Sequence, residues 1–160
     1  YKELEDLANK TLAFPSPAAF AASIITRANL QNRSIPFEAR YVSSHDSVYR
    51  SIAKGLYPAG GGVIRTFNNM EDNIRKQLRV LWTSPGYTSH AFAAHPRLDS
   101  SVIESIQAGM IKLNDTEEGR VLLQGLNLNG ITHARDEEWN DIRVMNLQSL
   151  VDLKPAASQQ

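Results

Sequence analysis

Two short runs of β-strand composition, each followed by a helix-length stretch, constrain this chain more than any other feature. Thr11-Leu12-Ala13-Phe14 is closed by Pro15-Ser16-Pro17, and residues 18–30 then carry the composition and period of a helix. Ser16 is the expected N-cap, with Pro17 at the first helical position and Phe20, Ile24, Ile25 and Ala28 as the buried stripe. Residues 36–43 alternate Phe37, Ala39 and Tyr41 against Glu38 and Arg40, the pattern of a half-exposed strand. Residues 46–54 read as a helix with Val48, Ile52 and Ala53 on one face and Gly55 at its C-terminal end. A strand, helix, strand, helix order favours an α/β sheet with parallel pairing.

The alternation continues. Residues 60–67 read as a strand entered through Gly60, Gly61 and Gly62, residues 70–78 as a polar-faced helix, and Arg79-Val80-Leu81-Trp82 as a buried strand with Trp82 in the core. Ser84-Pro85-Gly86-Tyr87 is a turn or crossing loop, and Ala91-Phe92-Ala93-Ala94 a further short strand. Helices are expected over residues 99–113 and 117–126, the first turning Val102, Ile103, Ile106 and Met110 inward. Trp139 is expected to pack near Asp141, Ile142 and Arg143, and residues 154–160 are too poor in apolar side chains to fold.

Composition narrows the functions open to such a chain. Its 160 residues, 42% of them hydrophobic, support one ordinary core or two small lobes. The 17 basic and 17 acidic residues cancel, so no global positive field draws nucleic acid or an anionic membrane, and any anion recognition must be local. The absence of cysteine excludes disulfides, thiolate zinc sites and a cysteine nucleophile. No apolar run is long enough to span a bilayer, and no signal peptide is present. The start at Tyr1 without Met is what a processed or excised piece would have.

Two neighbouring segments gather groups suited to a small anion. Ser43-Ser44-His45-Asp46-Ser47 offers an imidazole and hydroxyls, and Gly60-Gly61-Gly62 leads to Arg65 and Thr66, with glycines that let backbone approach a ligand closely. Asp46 and Ser47 can cap the helix that follows. A triad reading of Ser44-His45-Asp46 is weak, since sequential neighbours rarely provide the geometry of nucleophile, base and orienter. The glycine run lacks the Gly-Lys-Ser/Thr ending of a P-loop, so nucleotide hydrolysis is unsupported. Further on, Tyr87, Thr88, Ser89 and His90 form a polar loop. His90 and His95 have ligand spacing only on a helix, whereas Ala91 to Ala94 and Pro96 argue for extended chain, so no metal is expected. His133 reads as a surface residue.

Several ordered blocks carry a resemblance. Leu-Ala-Asn-Lys-Thr-Leu-Ala-Phe from Leu7, Ser44-His45-Asp46-Ser47-Val48, Arg79-Val80-Leu81-Trp82-Thr83-Ser84-Pro85 and Gly119-Arg120-Val121-Leu122-Leu123 occur in the order seen in phosphonate-type periplasmic binding proteins, the solute-capturing components of ABC transporters. Over roughly residues 4–144 the chain is similar to that family, whose fold is two α/β lobes joined by crossing strands with ligand in the cleft. The resemblance implies an α/β fold: a periplasmic-binding-protein-like lobe with a mostly parallel sheet flanked by helices, plus a return segment of an incomplete first lobe whose N-terminal part is missing. Residues 4–83 would form the second-lobe core, residues 84–153 the crossing strand and C-terminal helices returning toward the first lobe, and residues 154–160 a disordered tail.

The same resemblance implies ligand contacts at the helix start Ala18, Ala19 and Phe20, at His45, at Arg65 and Thr66, and at Tyr87, Ser89 and His90. The helix start departs from the family, which has serine and threonine donors where this chain has alanines and Phe20. The implied function is binding of a small anion or polar solute of phosphonate-like class, without catalysis and without a cofactor. Its setting is periplasmic or extracytoplasmic, its partner a membrane permease or a signalling receptor, with no nucleic acid and a homodimer as an option. The alternatives are an extracytoplasmic ligand-sensing domain, a hydrolase using His45 or His90, and a lobe used for protein contact.

Overall fold

The computed structural model describes residues 1–145 and Leu147, so the tail expected over residues 154–160 lies outside the described residues. The chain divides into two units, Tyr1–Gly86 with Met145 and Leu147, and Tyr87–Val144.

In the first unit, strand β1 (Lys10–Phe14) pairs in parallel with β2 (Phe37–Tyr41), in register from Lys10 opposite Phe37 to Phe14 opposite Tyr41. β1 is the inner strand: Leu12, Ala13 and Phe14 are all buried, while β2 alternates half-buried and exposed residues as its sequence predicts. On its other side Ala13 makes a parallel bridge to Gly60, donating to the Ala59 carbonyl and accepting from the Gly61 N–H, each at 3.0 Å. The core is Leu4, Leu7, Leu12, Phe14, Leu30 and Ile35, with Phe37, Tyr41, Leu81 and Trp82 packed against it. Phe14 lies between the rings of Phe37 and Tyr41, at centroid distances of 6.2 and 6.4 Å.

A π-helical turn (Phe20–Ile25) follows β1 and runs straight into α1 (Thr26–Asn32). Ile24, Ile25 and Ala28 are buried as expected, but Phe20 is 39% exposed. The helix starts later than Ser16 and Pro17 suggest. The Ala19 N–H closes a turn onto the Ser16 carbonyl at 3.4 Å, and Ala19 becomes the N-cap. Pro15 and Pro17 on either side of Ser16 and the turn at Pro17 and Ala18 delay helical geometry to Phe20.

Helix α2 (His45–Ala53) follows β2. Its cap is Ser44, whose hydroxyl oxygen accepts the Ser47 N–H at 3.1 Å, so Ser47 supplies the capped N–H rather than the cap. At its far end Gly55 takes φ +72°, with Leu56 donating to the Ser51 carbonyl and Gly55 to that of Ile52, both at 2.9 Å. This is a Schellman ending, which requires a left-handed residue at that place.

Residues 60–67 do not form the expected strand. Beyond the single bridge at Gly60 the chain enters α3 (Ile64–Asn68), because the Tyr49 hydroxyl takes both backbone groups of Val63, accepting its N–H at 2.8 Å and donating to its carbonyl at 2.9 Å. A side chain thus occupies the groups a neighbouring strand would need. The helix expected over residues 70–78 shortens to α4 (Asp72–Arg75), with Met70 buried ahead of it.

The Arg79-Val80-Leu81-Trp82 run is irregular rather than a strand. Val80 is 49% exposed, and Leu81 and Trp82 are half-buried against the core. A cavity of about 530 Å³ is lined both by residues 58–64 and by residues 77–84, and among the described residues no strand pairing joins these segments.

The second unit holds α5 (Ser100–Lys112), a 3-10 turn (Leu113–Asp115), α6 (Glu117–Gly125), a second 3-10 turn (Asp136–Trp139) and α7 (Asn140–Arg143). Thr116 caps α6 by accepting the Gly119 N–H at 3.0 Å, and Asn127, at φ 56°, ends it. Within this unit α5 turns only part of its apolar stripe inward: Ile103 and Met110 are half-buried, whereas Val102 and Ile106 are 44% and 53% exposed. Ala91 to Ala94 are exposed and irregular, without the strand expected there. No helix among the described residues is long and apolar enough to cross a membrane.

Candidate functional site

Parallel pairing sends the chain out of β1, β2 and the Gly60 bridge at one edge of the sheet, the edge at which open α/β sheets place ligands. Three of the sequence-derived groups therefore fall on that edge of the first unit. Ala18, Ala19 and Phe20 follow β1, His45 follows β2, and Arg65 and Thr66 follow the glycine run. Tyr87, Ser89 and His90 belong to the second unit and are described there.

At the first group Ala18 and Phe20 are exposed and Ala19 half-buried. Ala19 has no side-chain oxygen and caps nothing, which among the described residues leaves the N–H groups at the helix start without a side-chain acceptor. Ser23, one turn on, is fully buried and its hydroxyl has no partner among the described residues.

His45 opens α2 and is half-buried; its Nδ1 is buried and makes no hydrogen bond among the described residues. The neighbouring hydroxyl does not serve it, because Ser44 donates to the Ser47 hydroxyl at 2.8 Å while capping the helix. Ser44, His45 and Asp46 thus lack the relay of hydrogen bonds that a nucleophile, base and orienter require.

The glycine run is packed against the protein's own backbone and side chains. A Cβ on Gly61 would lie 1.7 Å from the Ala22 carbonyl oxygen, and one on Gly62 2.3 Å from the Tyr49 hydroxyl. Gly61 therefore locks the third exit to the helix start, and Tyr49 holds Val63 ahead of exposed Arg65 and half-buried Thr66. Burial pushes the Tyr49 phenol up from its ordinary value, against the opposing effect of the Val63 backbone bond.

In the second unit the Tyr87 to His90 loop is tied to the residues around α7. The Thr88 hydroxyl donates to the Glu138 carbonyl at 2.5 Å, the Thr88 N–H to Asp141 at 3.3 Å, and the Trp139 indole to the Ser89 carbonyl at 3.0 Å. The Trp139 side chain is thus bonded to the 87–90 loop, and His90 is exposed. Among the described residues no group of three His, Asp or Glu side chains is gathered as a metal site would need.

Sequence reasoning passed over Arg27, which is 1% exposed and donates to the Tyr41 hydroxyl at 2.6 Å. It also passed over Tyr49 and Ser23. The only signal for Arg27 was its position on the buried stripe, one turn beyond Ile24 and Ser23.

The family model described as ABC transporter, phosphonate, periplasmic substrate-binding protein matches residues 1–139. No curated protein matches the chain.

Proposed function

The chain belongs to the periplasmic substrate-binding proteins of phosphonate ABC transporters, and on that premise we propose that it captures a small anion or polar solute on the wall formed by the three exits of its parallel sheet. What supports the reading is the order of the chain: the uncapped helix start at Ala19, His45 with its buried Nδ1 unpartnered among the described residues, and Arg65 each follow β1, β2 or the Gly60 bridge of one parallel sheet. Helix-start N–H groups and a guanidinium suit phosphonate, phosphite, sulfonate or carboxylate. Phe20, exposed where hydroxyl donors are lacking, favours a ligand with an apolar substituent beside its anionic head. Tyr87, Ser89 and His90 are further candidate contacts from the second unit.

Capture without turnover is supported by how Ser44 is used, since its hydroxyl is committed to capping α2. Uptake through a membrane permease from an extracytoplasmic compartment follows from the family. The test is calorimetric titration of the full chain with methylphosphonate, phosphite, phosphate, methanesulfonate and acetate, with ligand recovery followed by NMR. Saturable binding of at least one anion, recovered unchanged, is expected. Consumption of the ligand that stops in His45→Ala would replace capture by hydrolysis.

A further inference from the structure

We propose that Arg27 is a positioning residue that fixes the exits of β1 and β2 to each other and so sets the spacing of the anion-facing turns. Its Nη1 donates to the Tyr41 hydroxyl at 2.6 Å and reaches the Pro17 carbonyl at 3.4 Å. Pro17 lies in the turn that delivers Ala18, Ala19 and Phe20. Tyr41 is the last residue of β2; after it Val42 donates to the Phe14 carbonyl at 2.9 Å, Ser43 turns at φ 72° and Ser44 caps the helix that starts at His45. One guanidinium nitrogen therefore touches the chain leaving each strand.

The chemistry favours position over stability. Burying a guanidinium carries a desolvation cost that an apolar side chain of similar volume avoids, and such replacements are often neutral or stabilising. What an apolar residue cannot supply is direction: the rigid planar guanidinium holds the two N–H groups of Nη1 at fixed angles, whereas a lysine offers a point charge on a flexible stem. At 1% exposure Arg27 meets no ligand itself, and among the described residues its bonds run to Pro17 and Tyr41. The functional side of this inference rests on reading the sheet edge as the capture surface.

Tyr41→Phe in the full chain is the cleanest test, because it removes the hydroxyl and keeps the ring beside Phe14. Amide hydrogen exchange should quicken about tenfold at the hydrogen-bonded amides of the two turns, Ala19 and Ser23 after β1 and Val42 and Ser47 after β2, with Leu12, Ala13 and Ile52 unchanged. Methylphosphonate binding, followed by calorimetry, should weaken in parallel. Arg27→Met should loosen both turns and Arg27→Lys should restore part of the protection near Tyr41. Uniform acceleration across the first unit would overturn the proposal by making Arg27 a structural pin only, as would unchanged exchange at both turns. If the parent chain binds no methylphosphonate while the local exchange effect appears, the positioning stands and the choice of methylphosphonate as ligand fails.

Discussion

At the scale of single residues, glycine and serine carry different kinds of necessity here. Gly61 has no room for a side chain, since a Cβ would overlap the Ala22 carbonyl oxygen, a backbone atom that cannot swing away. Gly61→Ala should therefore cost about 3 kcal/mol in urea unfolding, the upper end of ordinary overpacking. Ser44→Ala loses one cap and should cost about 1 kcal/mol. The candidate side chains were readable as a list, because imidazole, guanidinium and glycine stand out in sequence. Their partners were not. That the glycines approach Ala22 and Tyr49, and that Ser44 serves Ser47 and not His45, depends on tertiary placement that no local pattern records.

At the scale of elements, legibility followed the caps. β1, β2, α2 and α6 form where their sequence patterns place them, with Gly55 and Thr116 marking helix ends locally, whereas α5 forms as a helix without burying the whole stripe its period predicts. Residues 60–67 failed for a physical reason: strand propensity there was outweighed by the Tyr49 hydroxyl, which claims both backbone groups of Val63. Helix ends supply a paired prediction. Gly55 and Ser34 both adopt left-handed backbone, at φ 72° and φ 57°, after α2 and α1. Gly55→Ala should destabilise by about 1 kcal/mol and Ser34→Gly should stabilise by about 0.5 to 1 kcal/mol, both read from denaturant midpoints. A loss of stability in Ser34→Gly would show that the serine side chain matters more than its backbone geometry.

At the scale of the whole molecule, the zero formal charge makes local pairs the main source of pH response. A hydrogen bond from Arg33 holds the Glu5 carboxyl below its ordinary value of 4.5, and Arg50 does the same for Glu71. Backbone N–H bonds from Lys2 and Glu3 lower Asp6. Each folded-state value is depressed, so the stabilisation is present above pH 4.5 and fades as pH falls through the folded values. Unfolding measured across that acid range should show a declining stability whose slope flattens in the Glu5→Gln, Glu71→Gln double variant. These pairs are exposed, so the effect should shrink with added salt.

The parallel sheet sends the chain out of β1, β2 and the Gly60 bridge on one side of the first unit, and the proposed capture rests on that side. NMR titration of the isotopically labelled full chain with methylphosphonate and phosphite tests it most directly. The account predicts saturable shifts concentrated at Phe20 to Ala22, at His45 and at Arg65 and Thr66, reduced at least fivefold in apparent affinity by His45→Ala. Saturable shifts confined to the lining of the Leu12, Val63 and Trp82 cavity, or anion binding that His45→Ala leaves untouched, would contradict it.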